Sequence, residues 1–249
     1  MSSVSVVGLG VVGGAFYKCL KHKGVNVVGY DKFKDSDPFE DVLRTEIAFL
    51  SLPTPYDDDL GEYNKSAIHD VCRLLDKAEY TGTVVLQSTV EPETTDHLDD
   101  MYKSLHFVHS PEFISAKTAF EDMMNQNHVV LGRSRICSDE CFDCVYNFYQ
   151  THFPNATISV CKTIESETMK IGINSFYAVK IQFLNELYLV CQQNGGDYDR
   201  VIHMMLKNGW INAMHTSVPG TDGKLSYGGM CFPKDTNALL QYMSRLQSP

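Results

Sequence analysis

No apolar run in this sequence approaches the roughly 20 residues that a bilayer-spanning helix needs. The start, Met1-Ser2-Ser3, leads straight into a strand and carries no signal-peptide pattern. Positive charge is scarce as well: 21 Lys and Arg face 31 Asp and Glu, a formal net charge of -10. That balance argues against nucleic acid or an anionic membrane as partner, though it leaves room for a local basic pocket for phosphates. Internal repeats and low-complexity segments are lacking too. These absences predict a cytoplasmic globular protein with no nucleic-acid and no membrane partner. A chain of 249 residues has room for one large domain or two modest ones.

Cysteine, by contrast, is plentiful, with eight residues whose neighbours matter more than their number. Cys19, Cys72 and Cys191 fall in apolar helical stretches, where buried thiols are common. Cys137, Cys141 and Cys144 have the C-x3-C-x2-C spacing that some iron–sulfur enzymes use. Yet Asp143 stands where those enzymes carry an aromatic, and Asp139–Gln150 reads as an amphipathic helix with Cys141, Val145 and Phe148 along one side. The reading is helix-packing thiols in a reducing compartment, with no metal.

The first two-thirds of the chain alternates short Val- and Ile-rich runs with helical stretches. Strands are predicted at Ser3–Val7, Val25–Tyr30, Ile47–Leu52, Thr83–Gln87, Phe107–His109, His128–Leu131 and Thr157–Val160. Their near-continuous apolar character suits parallel strands covered on both faces. Helices are predicted between them, at Gly14–His22, Lys65–Lys77 and Pro92–Tyr102. The alternation specifies an α/β fold, a Rossmann-like doubly wound parallel sheet. The pattern then changes. Ile164–Gln193 contains no proline and only Gly172, and reads as one helix roughly 45 Å long. Phe176, Val179, Phe183 and Leu187 recur along it at helical spacing. A helix is expected at Tyr198–Lys207, an irregular loop over Asn208–Asp235, and a last helix at Thr236–Leu246. The expected division is a dinucleotide-binding domain at 1–162 and a mostly α-helical domain at 163–249. The long helix is too extended for so small a domain to cover, so a homodimer through residues 164–193 is expected.

Gly8-Leu9-Gly10-Val11-Val12-Gly13 follows a predicted strand and opens a helix, the context a G-x-G-x-x-G match requires. Gly8, Gly10, Val11 and Gly13 would bring backbone N–H groups close to a pyrophosphate. Asp31, eighteen residues past Gly13, ends the second strand, where its carboxylate can bind both adenosine-ribose hydroxyls and repel a 2′-phosphate. The cofactor expected is NAD. Thr54 in Leu52-Pro53-Thr54-Pro55 and Thr89 in Ser88-Thr89-Val90 lie past strand ends, where ligands of such sheets bind, although either can equally cap a turn. Glu112, in Ser110-Pro111-Glu112-Phe113, can order a water or simply be a solvated loop residue. Lys170 and Asn174 lie one helical turn apart, so an ammonium and an amide can converge on one oxygen, or form a plain polar face. Late in the chain comes Gly228-Gly229-Met230-Cys231-Phe232-Pro233-Lys234-Asp235. A cysteine framed by glycines and near a lysine suits a nucleophile that captures an aldehyde as a thiohemiacetal and passes it on to an acid.

With that octapeptide matching the pattern GG-x-C-F-P-K-D, the chain resembles the UDP-glucose 6-dehydrogenase family of nucleotide-sugar dehydrogenases. The likeness covers essentially the whole chain, with motifs in family order. The family's P-T-P and S-T-x-P segments are both here, its proline recurring as Pro92, and Glu167-x-x-Lys-x-x-x-Asn followed by Asn185-Glu186 is similar to its central helix. The resemblance implies an NAD-dependent four-electron oxidation of a nucleotide-sugar C6 hydroxyl, with UDP-glucose becoming UDP-glucuronate. It implies Cys231 as nucleophile, Lys170 and Asn174 stabilising oxyanions, Asp235 and Lys170 handling protons and water, and Thr89 and Glu112 ordering water. Thr54, Thr89 and Lys234 would join the glycine turn and Asp31 around the cofactor. Phe113, Lys170, Asn174, Tyr227 and Gly228 would border the sugar.

The chain also departs from the pattern. Where the family reads S/N-P-E-F-L-x-E-G, this sequence continues Ile114-Ser115-Ala116-Lys117, so Ala116 replaces the second glutamate. No arginine occurs between Arg200 and Arg245, and Trp210 lies near the place where the family carries one. Thr221–Ser226 reads as additional loop. The family continues into a second Rossmann-like domain, whereas this sequence ends at Pro249, as either a natural short form or a truncation would. Two other readings therefore stand beside the first. A two-electron β-hydroxyacid dehydrogenase shares the S-T-x-x-P-like loop and the helical Lys-x-x-x-Asn but needs no Cys231. A catalytically silent NAD-binding partner protein would account for Ala116 and the missing arginine.

Overall fold

The computed structural model describes residues 3–220 and 222–247, so that Met1, Ser2, Thr221 and Pro249, which carried sequence expectations, lie outside the described residues. The chain divides into two compact units, one up to Lys170 and one from Ile171.

The first unit is built on β1 (Val4–Val7), β2 (Val27–Tyr30) and β3 (Ile47–Leu50), with α1 (Val11–His22) and a short α2 (Phe39–Val42) between them. A two-stranded hairpin follows, β4 (Tyr56–Asp57) and β5 (Glu62–Tyr63), then α3 (Ser66–Lys77), β6 (Thr83–Leu86), α4 (Thr94–Met101) and β7 (His106–His109). The unit continues through α5 (Ala119–Met124), β8 (His128–Arg133), α6 (Asp139–His152) and β9 (Thr157–Lys162). Seven strands form one sheet in the order β2-β1-β3-β6-β7-β8-β9. The chain runs from β1 outward to β2, then returns to place β3 on the other side of β1. That reversal is the switch point beyond which ligands of open α/β sheets bind.

Strand residues alternate between two cores. Val4, Val6, Ile47, Phe49 and Val85 pack with Phe16 and Leu20 of α1 and Val145 and Phe148 of α6. Val7, Ala48, Leu50, Val84 and Leu86 pack with Ile68, Cys72 and Leu75 of α3 and Leu98 of α4. Burial on both faces is why these strands read as unbroken apolar runs.

Two expectations about the sheet need correction. β8 pairs antiparallel with β7, so the sheet is mostly rather than wholly parallel. β9 is an edge strand with Val160 exposed, not a strand covered on both faces. The α2, α5 and β4–β5 elements were too short to carry a periodicity. Cys141 and Cys144 sit on α6 and pack against the first core, as helix-packing thiols do. Burial pushes the Cys137 thiol up to about 12.

One continuous helix, α7 (Thr163–Asn194), crosses the division between the units. The second unit adds α8 (Tyr198–Lys207), capped by the Asp197 side chain, and α9 (Phe232–Arg245). Leu184, Cys191, Tyr198, Ile202 and Val218 form its small core. The last helix starts four residues earlier than Thr236, at Phe232. Pro233 takes a first-turn position, where the missing N–H would have had no helical partner anyway. The expected loop therefore ends at Cys231, and Lys234 and Asp235 lie on the helix.

Candidate functional site

The glycines of the turn differ in what surrounds them. Gly8 has a φ of 92°, and a Cβ there would lie 2.6 Å from the Ser51 carbonyl oxygen. A Cβ on Gly13 would lie 1.9 Å from the Gly8 carbonyl oxygen. Gly10 differs: nothing lies within 4 Å of its hypothetical Cβ, and no side chain caps α1, which begins at Val11. Two glycines let the turn close on itself; the third leaves a face open to a ligand at the helix N-terminus. Asp31 accepts from the Leu9 N–H at 2.8 Å and from the Phe33 N–H at 3.0 Å, holding the acidic residue beside the turn. Lys34 donates to the Leu9 carbonyl.

The loops after β3 and β6 are stapled together. The Thr54 hydroxyl donates to the Thr89 carbonyl at 2.7 Å. Ser88 Oγ donates to the Leu52 carbonyl at 2.8 Å and accepts from the Leu52 N–H at 2.9 Å. Glu91 accepts from the Tyr63 N–H at 2.5 Å and from Lys65 Nζ at 3.1 Å, tying the hairpin to the same loop. From α7, Glu167 accepts from the backbone N–H groups of Glu93 and Thr95 and from the Thr95 hydroxyl, at 2.8, 2.7 and 2.6 Å. Those donors belong to the start of α4, so a buried carboxylate caps it. Burial pushes Glu167 up to about 7 despite these bonds.

Glu112 is buried, not solvated. Its carboxylate accepts from Gln87 Nε2 and from Gln126 Nε2, each at 3.0 Å. Burial raises it to about 7 against the opposing pull of Lys170 and the two amides. Lys170 Nζ donates to the Glu112 carbonyl at 2.6 Å and lies 4.9 Å from the centre of the Phe113 ring. His109, on the preceding strand, bonds through Nδ1 to Ser166 Oγ at 2.7 Å, and burial holds it down at about 3, hence neutral.

In the second unit, Asn174 Nδ2 donates to Asp235 Oδ2 at 2.6 Å, and Lys234 Nζ lies 2.5 Å from Asp235 Oδ1. Asp235 is fully buried. Cys231, exposed, is the N-cap of α9, and its carbonyl accepts from the Asp235 N–H at 3.0 Å. Tyr227 is half-buried and Gly228 exposed, and the preceding Ser226 N–H is held by Asn185 Oδ1 at 2.9 Å. Trp210 is exposed.

The first unit thus brings together Thr54 with Thr89, the glycine turn with Asp31, and Glu112, Phe113 and Lys170. The second brings together Asn174, Lys234, Asp235 and the Cys231 cap. Lys170 donates to the Glu112 carbonyl and Asn174 to Asp235. Lys234 is paired with Asp235. Sequence reasoning missed Ser51, Gln87, Gln126, Glu91 and the anchoring role of Asn185. Asn185 lies in the stretch likened to the family's central helix, Glu91 between Val90 and Pro92, and Ser51 and Gln87 directly before Leu52-Pro53-Thr54-Pro55 and Ser88-Thr89; Gln126 carried no positional signal.

A doubly wound sheet with a close-packed glycine turn at its switch point and an acidic residue after the second strand defines a dinucleotide-binding protein. Two domain descriptions match the chain: the NAD binding domain of the UDP-glucose/GDP-mannose dehydrogenase family over residues 33–151, and that family's central domain over residues 164–249. The chain belongs to the UDP-glucose/GDP-mannose dehydrogenase family. It is 27% identical over 214 residues to a UDP-glucose 6-dehydrogenase of Bacillus subtilis, covering 83% of this chain and 46% of that protein. A UDP-glucose 6-dehydrogenase of Haloferax volcanii is 29% identical over 227 residues, covering 84% and 51%. The chain therefore spans about half the length of these curated relatives. Its fold is similar to a UDP-glucose dehydrogenase from Pyrobaculum islandicum, with a TM-score of 0.87 at 24% identity, over 100% of this chain and 65% of that one. It is also similar, with a TM-score of 0.71 at 23% identity, to a GDP-mannose dehydrogenase from Pseudomonas aeruginosa, over 99% and 65%. The cofactor of the family's first domain is NAD, and the open face at Gly10 and the uncapped start of α1 fit it. No described helix is long and apolar enough to cross a membrane.

Proposed function

We propose that the chain supports NAD-dependent oxidation of a nucleotide-sugar C6 alcohol to the acid, with UDP-glucose as substrate. The observation carrying this reading is the Cys231–Asp235 turn of helix: an exposed cysteine one turn from a buried carboxylate that Asn174 and Lys234 hold. A two-electron dehydrogenase has no use for such a cysteine. The balanced reaction consumes the alcohol, water and two NAD, and releases the carboxylate, two NADH and three protons. NAD, when bound, supplies the hydride acceptor.

The chain's own residues do the rest. Gly8, Gly10, Val11 and Gly13 receive the pyrophosphate, Asp31 takes the ribose hydroxyls and disfavours a 2′-phosphate, and Thr54 and Thr89 flank the cofactor. Lys234 is assigned to the cofactor with them. Lys170 and Asn174 stabilise oxygen as it gains negative charge. Loss of a proton from the C6 hydroxyl and of a hydride from C6 gives the aldehyde. The Cys231 thiolate adds to its carbon, whose oxygen takes up a proton, to give a thiohemiacetal. Loss of that hydroxyl proton and of a second hydride leaves a thioester. Water ordered by Thr89 and Glu112 then adds to the thioester carbon. The Cys231 sulfur departs, and Asp235 and Lys170 carry the protons. Phe113, Tyr227 and Gly228 border the sugar.

We also propose that the protein is a homodimer through α7. Phe176, Val179 and Phe183 are exposed on it at helical spacing, while Leu187 packs against the small core.

The test of substrate is NADH formation by the purified chain against UDP-glucose, GDP-mannose, UDP-N-acetylated sugars and small β-hydroxyacids. Turnover with UDP-glucose above the others supports the assignment. Turnover with a β-hydroxyacid alone replaces it with the two-electron reading.

A further inference from the structure

Glu112 stands without a second glutamate, because Ala116 occupies that place and lies exposed in a turn. What sets the geometry and charge of its carboxylate must therefore come from elsewhere. Two amides grip it, one on each oxygen, from different parts of the fold: Gln87 follows β6, and Gln126 lies between α5 and β8. An amide can face either way, and only its nitrogen end suits an ionised carboxylate. Ser51 favours one orientation of Gln87, its hydroxyl donating to Gln87 Oε1 at 2.5 Å, while the Tyr149 hydroxyl is a further partner of the same amide. Ser51 in turn is wedged against the glycine turn, since a Cβ on Gly13 would lie 2.8 Å from Ser51 Cβ and 3.1 Å from its Oγ. The sequence of contacts runs from the cofactor turn through Ser51 and Gln87 to Glu112, and ends at Gln126.

We propose that Gln87 and Gln126 are positioning residues that hold the Glu112 carboxylate between two amide donors, and that Ser51, by favouring one orientation of Gln87, ties that grip to the glycine turn. The proposal deepens the reading of Glu112 as the residue that orders water, and its functional meaning rests on that reading. The other groups near the carboxylate are Lys170 from α7, which favours its charge, and Cys19 from α1 and Tyr149 from α6, which interact with it electrostatically while staying neutral. Burial works against the charged form, so the two amides and Lys170 are what keep ionisation within reach of neutral pH. Each amide donor removed must push the carboxyl further up.

The test is a 13C NMR titration of the full chain carrying side-chain-labelled glutamate, with the Glu112 signal assigned by its loss in Glu112→Gln. A midpoint near 7 is expected in the unmodified chain. Gln87→Met and Gln126→Met, which keep the bulk and delete the amide, should each raise it by roughly half a unit or more. Ser51→Ala should raise it too, by less, because a released Gln87 amide can turn its oxygen toward a protonated carboxyl. An unchanged or lowered midpoint in the folded Met variants overturns the proposal. If near-UV circular dichroism shows that either Met variant fails to fold, Ser51→Ala decides alone, since its hydroxyl reaches Glu112 only through Gln87. The titration needs no turnover, so its outcome is separate from the NADH assay: a chain inactive toward every sugar can still show the grip.

Discussion

Glu167 gathers three donors on one buried carboxylate, so its charge state matters to the first unit. It fixes the start of α4 and with it the loop carrying Thr89. Its folded value of about 7 lies above the ordinary 4.5, so the folded form holds a proton that the unfolded chain gives up earlier. Its contribution is therefore fully present at low pH and is lost as pH rises from about 4.5 through about 7. Glu167→Gln cannot titrate and lacks that loss. The stability advantage of the unmodified chain over the variant should shrink between pH 5 and pH 8, by on the order of 2 kcal/mol. Urea melts at the two pH values measure this, and an advantage constant across the range would refute it.

At the scale of elements, α7 carries both Lys170 and Asn174, which are proposed to act in the chemistry, and the proposed contact between copies. Phe176, Val179 and Phe183 are each more than half exposed, which is costly for three apolar residues on one helix unless something covers them. Phe183→Glu should weaken self-association by about tenfold or more, because a charge would be carried into a dry contact. Light scattering across micromolar concentrations measures it; a chain already monomeric there contradicts the dimer. The helix itself was legible from its composition, since a long stretch without proline has few other outcomes. The direction of β8 was not, because a buried strand is apolar whichever way it runs. The start of α9 was hidden for a related reason: Pro233 breaks a helix interior yet is tolerated in a first turn, and only the backbone tells which applies.

Across the whole molecule, contiguous motifs carried the legible part of the site. The glycine turn and Asp31 could be read because strand, turn and helix are local in sequence. The Cys231–Asp235 segment could be matched to a family motif because it is contiguous, although its helical start was not legible. Ser51, Gln87 and Gln126 could not, being single polar residues that only the packing of the strand ends and the segment after α5 brings together. Helical spacing put Lys170 and Asn174 on one face, but their partners in the folded chain, the Glu112 carbonyl and Asp235, come from distant segments that the spacing does not reveal. The central claim concerns the cysteine, and it is tested by counting NADH formed per sugar consumed, with UDP-glucose and NAD, for the unmodified chain and for Cys231→Ala. The account predicts two NADH for each acid released by the unmodified chain, and little or no acid from Cys231→Ala with NAD binding retained. One NADH per turnover, or full acid production by Cys231→Ala, would contradict it.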